Sequence, residues 1–280
     1  MKKFIHTKWF TYGTYILLVL ATTLIGLVIM QNNATLNKII TSFFEVAENR
    51  TFDYRQSLRV SHKSPAPNKD IVILAIDDSS LELLWDKYGE WPIPRKVYAD
   101  VINYLEKYDP KAIIFDLLFI KSIRSDIASD NALIEAMNKY DNIYTAMNFD
   151  NQPFDLRQPI DLPKRMIMHV GGSDSDIDIE SKYTFTNCRP ILQKLIEGNV
   201  KIGISNVIRN NDGIIRKVAP LMAYKGNYYP YLAFKVGCNS AYKRNMKAVF
   251  IDKYRRMMVG SSTVPLTKDG EAILNWYGPS

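Results

Sequence analysis

Two aspartates close two short apolar runs: Asp77 ends Ile71-Val-Ile-Leu-Ala-Ile and Asp116 ends Ala112-Ile-Ile-Phe. A carboxylate at the end of a buried strand can hold a cation, accept a proton or cap the following turn, and ligands of open α/β sheets gather at that edge. Between the two runs, Trp91-Pro-Ile-Pro-Arg95 puts an arginine at a helix start, because Pro94 suits the first helical turn. The positive end of the helix dipole disfavours a cation there, so Arg95 needs a partner. A carboxylate, Asp77 or Asp116, or an anionic ligand would serve. Asp212-Gly213 with Arg216 reads as a hairpin turn carrying a solvent-facing arginine.

Other chemistries find little support. The three histidines, His6, His62 and His169, are too scattered for a metal cluster, and no glycine-rich phosphate loop or serine elbow occurs. The alternate carboxylates from Asp174 fail the calcium-loop pattern, since Ile179 stands where glycine is needed and Phe185 where glutamate is needed. No cofactor or metal is expected. One alternative uses the aspartates directly: Asp77-Asp78, Asp116, Thr145 and Lys164 look like the acidic pair, phospho-acceptor, threonine and lysine of a response-regulator receiver. Against it, only one main helix fits between Asp77 and Asp116, where a receiver has helix, strand and helix.

The elements that must position these residues follow α/β order. Continuous apolar runs predict buried parallel strands at Ile71–Ile76, Ala112–Phe115 and Asn142–Asn148, with helices near Ser79–Trp85, Arg95–Tyr108 and Asn131–Lys139. Periodicity fails from Gln152 to Thr186. Beyond it, Val200–Ile208 and Ile214–Tyr224 flank Asn210-Asn-Asp-Gly213 as an expected hairpin. Tyr229-Pro230 opens an expected helix through Cys238, and short strands with a Lys268-Asp-Gly270 turn follow. The predicted fold class is mixed α/β, a largely parallel sheet flanked by helices, with antiparallel hairpins in the C-terminal third and one transmembrane helix ahead of it.

That membrane helix is read from Tyr12 to Met30, a charge-free apolar run of roughly 19 residues, the length of a bilayer core. Lys2, Lys3 and Lys8 precede it, which predicts a cytoplasmic N-terminus (1–11), a signal anchor (12–30), a juxtamembrane helix and linker (31–63) and an extracytoplasmic domain (64–280). A cleavable signal peptide competes, but Gln31-Asn-Asn-Ala34 has no small-x-small site. In the linker, apolar residues from Leu36 to Ala47 recur at helical spacing, and Pro65 and Pro67 then break the pattern. The net charge of +7 is spread along the chain without a nucleic-acid motif, so no nucleic-acid partner is expected. Two cysteines, Cys188 and Cys238, are too few for a disulfide-built scaffold, though they could form one bridge.

Taken together, Ile71 to Asp78, Trp91-Pro92 with Arg95, Ala112 to Phe119, Gly203 to Asn206, Asp212-Gly213 with Arg216, and Tyr229-Pro230 resemble the type-2 CHASE domain. That family is the extracellular sensory module associated with bacterial adenylate cyclases, histidine kinases and Ser/Thr kinases. The resemblance implies a sensor of the bacterial inner membrane, with Asp77, Arg95, Asp116, Asn206, Asp212 and Arg216 as its polar motif positions and no catalytic assignment. Asp77, Arg95 and Asp116 are the candidate ligand contacts; Trp91, Pro92 and Gly213 complete the motifs. A small-molecule or protein stimulus and a homodimer are the expected partners, and a purely structural dimerisation domain is a further alternative. The family's members resemble receptors that re-enter the membrane and end in an output domain. Residues 1–280 carry no second long apolar run and no cyclase or kinase motif, so the chain is expected to be a fragment or a relative lacking its output.

Overall fold

A computed structural model describes residues 2–32, 34–63, 68–89, 92–120, 126–152, 160–172, 180–210, 212–242 and 245–276. Trp91, the prolines at 65 and 67, and the acidic run at 173–179 lie outside them. The chain divides into two units, one of residues 1–72 with 275–280 and one of Ile73–Leu274.

The first unit is built on two helices, α1 (Lys2–Asn32) and α2 (Ala34–Lys63). Among the described residues no helix is long and apolar enough to cross a membrane. This overturns the transmembrane helix expected at 12–30. The helical period expected from Leu36 to Ala47 does lie in a helix, and that helix continues to Lys63.

In the second unit, α3 (Asp78–Tyr88) begins where the Asp77 carboxylate accepts from the Ser80 amide at 2.9 Å and ends at Gly89, whose φ of 76° lets its N–H reach back to the Trp85 carbonyl. The strand expected at Ile71–Ile76 is not formed. Those residues have no ladder partner among the described residues and are exposed, with Ile73 at 84% exposure. An apolar run specifies that a strand is possible; pairing must come from elsewhere in the chain.

Next come α4 (Lys96–Leu105), β1 (Ile113–Phe115), α5 (Ile127–Lys139) and β2 (Ile143–Asp150). The helix α4 buries Tyr98, Ala99 and Ile102. Tyr98, Phe115 and Phe119 meet edge to face, with Tyr98 and Phe119 centroids 5.4 Å apart. The irregular middle holds β3 (His169–Gly172), α6 (Glu180–Tyr183), β4 (Thr184–Phe185), β5 (Asn187–Arg189) and α7 (Gln193–Glu197), followed by β6 (Lys201–Ile204).

The central sheet places β2 between β1 and β6, both parallel to it, while the end of β2 turns to pair antiparallel with β5. The expected hairpin across Asn210–Gly213 is absent because β6 takes β2 as its partner. A local turn persists, with the Gly213 N–H donating to the Asn210 carbonyl at 2.8 Å. The chain continues through β7 (Lys217–Val218), β8 (Leu221–Tyr224), β9 (Asn227–Pro230), α8 (Leu232–Tyr242), β10 (Ala248–Ile251), β11 (Arg256–Val259), β12 (Ser262–Pro265) and β13 (Ala272–Ile273). Tyr229 and Pro230 end β9, and the helix expected to open there through Cys238 begins two residues on, at Leu232. The antiparallel hairpins β8–β9, β10–β11 and β11–β12 bear out the reading of the C-terminal third.

Glycine at 203 is a packing requirement. A Cβ added there would lie 2.5 Å from the Leu232 Cα, so α8 can approach β6 only over a bare backbone.

Candidate functional site at the carboxyl edge of the parallel sheet

Because β1, β2 and β6 are parallel, their carboxyl ends share one edge. Helices that follow or precede such strands begin at that edge, which brings the start of α4 and the start of α5 to it as well. Arg95 stands at the α4 start. Its Nη1 donates to Asp130 Oδ1 at 2.6 Å, and Asp130 is buried in the first turn of α5. One residue on, the Lys96 backbone N–H donates to the Ser129 Oγ at 2.6 Å, so a side chain of α5 caps α4. Ser129 is itself held by the N-cap of its own helix, with its N–H donating to Asp126.

The partner of Arg95 is therefore Asp130, in place of the two expected carboxylates. Sequence reasoning missed Asp130 because it started α5 at Asn131, four residues late. The readable signal was Asp126, an N-cap residue three positions ahead of a serine. Asp77 remains outside this constellation. It caps α3, and the Ser80 hydroxyl and amide hydrogen bonds lower its pKa.

Asp116 follows β1 and is exposed, with no hydrogen-bond or ion-pair partner among the described residues. It lies close enough to Tyr231 to influence it electrostatically. Burial raises the Tyr231 phenol pKa and the Asp116 charge raises it further. Tyr231 is fixed beside the end of β6 by a bridge to Ile204. On the same edge, the Ser205 hydroxyl donates to Asn148 Oδ1 at 2.5 Å.

Asn206 extends the sheet with its side chain. Its Oδ1 accepts from the Phe149 N–H at 2.6 Å and its Nδ2 donates to the Phe149 carbonyl at 2.8 Å, so the amide acts as one more rung after β6 ends. Arg216, expected in solvent, is buried, and its two terminal nitrogens grip Asp212 at 3.0 and 2.7 Å. The Asp212 carboxyl also accepts from the Ile214 N–H, and its hydrogen bonds to Arg216 and Ile214 lower its pKa. Gly213 supplies the φ of 79° that the turn needs. Pro92 is exposed, ahead of α4.

These motif residues mostly build the edge instead of lining it: Asn206, Asp212, Gly213 and Arg216 shape the loop leaving β6, and Arg95 joins two helix starts. Thr145 and Lys164 fall elsewhere, Thr145 within β2 and Lys164 in a 3-10 turn. Among the described residues no group of three or more His, Cys, Asp or Glu side chains could hold a metal ion. Cys188 and Cys238 are buried free thiols.

A family model for the CHASE2 domain matches residues 19–280. The chain belongs to the CHASE2 domain family. Searches of curated proteins and of solved structures give no match. CHASE2 is an extracellular sensory domain family, so the role of this chain is sensing. In this chain the Arg95–Asp130 pair and the Asn206 amide rung hold the carboxyl edge together.

Proposed function

We propose that the chain is the extracytoplasmic signal-input domain of a bacterial signalling receptor and that its stimulus binds at the carboxyl edge of the parallel sheet. The observation that carries this reading is Asp116: a strand-end carboxylate, exposed and without a partner among the described residues, within electrostatic reach of Tyr231 on an edge stiffened by Arg95–Asp130 and Asn206. A rigid rim with one uncommitted polar group suits recognition by a few placed contacts. Residues 64–280 form the sensory domain in this reading, and the output is a cyclase or kinase of the receptor. Signalling then follows from a difference in ligand affinity between two arrangements of the domain.

The test is a thermal-shift screen of a small-molecule library against the wild-type chain and Asp116→Asn, with magnesium-dependent phosphatase turnover measured in parallel. A compound that raises Tm for the wild type but not for Asp116→Asn supports the reading. Turnover lost in Asp116→Asn would replace it with aspartate chemistry.

A further inference from the structure

Two unpaired features of this fold complement each other. The segment Ile73–Ile76 is apolar throughout, exposed, and makes no backbone hydrogen bond among the described residues. On the other side, among the described residues β1 pairs only with β2, which leaves its second edge open, while its Ile113 and Phe115 side chains are anchored in the core. Exposed apolar strands and open sheet edges are each unfavourable, and each is the natural partner of the other.

We propose that Ile73–Ile76 is a strap that docks parallel on the open edge of β1, and that the domain exchanges between the undocked arrangement seen here and this docked one. The connection is adequate: the chain from Ile76 to Ile113 contains α3 and α4, and a parallel pair needs a crossover of about a dozen residues or more. The element that must move is weakly held. None of the α3 residues is buried, and only Leu84 and Tyr88 pack partly against the core. With Ile76 beside Phe115, Ala75 faces Ile114, and Asp77 arrives next to Asp116 at the carboxyl edge. Docking therefore completes the rim at which the stimulus was placed above, and on that reading a ligand touching both carboxylates would favour the docked strap.

The experiment is disulfide trapping in the full chain. Ala75→Cys with Ile114→Cys places two thiols on one face of adjacent strands, within bonding range only when the strap is docked in this register. Mild oxidation should give a species of altered mobility on a non-reducing gel at monomer size. Ile76→Cys with Ile114→Cys, one residue out of register, should not, and adding Leu74→Pro to the trapping pair should abolish the product, because proline cannot donate to the ladder. Hydrogen exchange of the unmodified chain reads the same event without a variant: slowed amides at 73–76 accompany docking. Equal trapping in the shifted pair, survival of the product with Leu74→Pro, a product only at dimer size, or no product together with fast exchange at 73–76 would each overturn the strap. Trapping needs no ligand, so its failure is separate from failure of the ligand screen.

Discussion

Arg95 Nη1 sits 2.6 Å from Asp130 Oδ1, and the two side chains are 11% and 2% exposed. This contact ties the first turns of α4 and α5 together and places an otherwise unfavourable cation at a helix start. Removing one partner would strand the other charge in a poorly solvated place. Arg95→Ala is expected to destabilise the chain by about 3–5 kcal/mol, while replacing both partners by apolar residues of similar size should recover most of the loss. Urea unfolding of the single and double variants checks this; equal stabilities for wild type and Arg95→Ala would show that the pair holds nothing.

A methyl group at position 203 should be felt across the sheet. The added Cβ of Gly203→Ala would meet the Leu232 backbone, so α8 must shift from β6. The expected cost is about 1–3 kcal/mol, with altered near-ultraviolet circular dichroism from the tyrosines on α8 and β2. An unchanged melting temperature would refute the close approach.

Glu271, buried, accepts from the Tyr183 hydroxyl at 2.6 Å and from Lys182 at 2.5 Å, with Lys217 at 3.7 Å. Burial acts to raise the Glu271 pKa, but hydrogen bonds from Lys182 and Tyr183 and the charges of Lys182 and Lys217 outweigh it, leaving the carboxyl below 4.5. The native state therefore holds the ionised form better than the unfolded chain does. Its contribution is fully present above about pH 4.5 and is lost as pH falls through the native value. Glu271→Gln should cost about 1–3 kcal/mol at pH 7 and flatten the fall of Tm on acidification. Parallel acid melts of the two proteins would expose the opposite result.

Lys235 titrates in the other direction. Its amine is buried, donates to the Ile202 carbonyl at 3.1 Å, and has a pKa lowered to about 8 by burial and then by the charges of Arg165 and Lys201. Between about pH 8 and 10.5 the unfolded chain binds the proton that the native state has released, so stability rises with pH across that window. Lys235→Met should be more stable than wild type at pH 7, by on the order of 2 kcal/mol, and the advantage should shrink toward pH 10. A constant difference from pH 7 to 10 would mean that the amine does not titrate in the fold.

Much of the architecture was readable from local pattern. The helices at Ser79–Trp85 and Arg95–Tyr108, and the strands ending at Asp116 and near Asn148, were visible because apolar spacing and caps act within a few residues. That the C-terminal third holds antiparallel hairpins was legible for the same reason, although the one hairpin placed by turn chemistry did not form. Partner choice was not legible. Asp130 for Arg95, β2 for β6, and the Asn206 amide for the Phe149 backbone are contacts between residues distant in sequence, and turn chemistry at Asn210–Gly213 could not reveal that β6 had a better partner than the strand following it.

By itself, then, the sequence determined the α/β order, the family resemblance and the strand end at Asp116, since each is written in residue type and short-range spacing. Only the tertiary structure decided that Arg95 belongs to Asp130, that Arg216 is buried against Asp212, that Asp116 alone of the expected triad stays open at the edge, and that Ile73–Ile76 is left without a ladder. Those outcomes depend on which surfaces meet when the sheet assembles, and the free energy of a long-range contact resides in both partners, so neither stretch of sequence contains it alone.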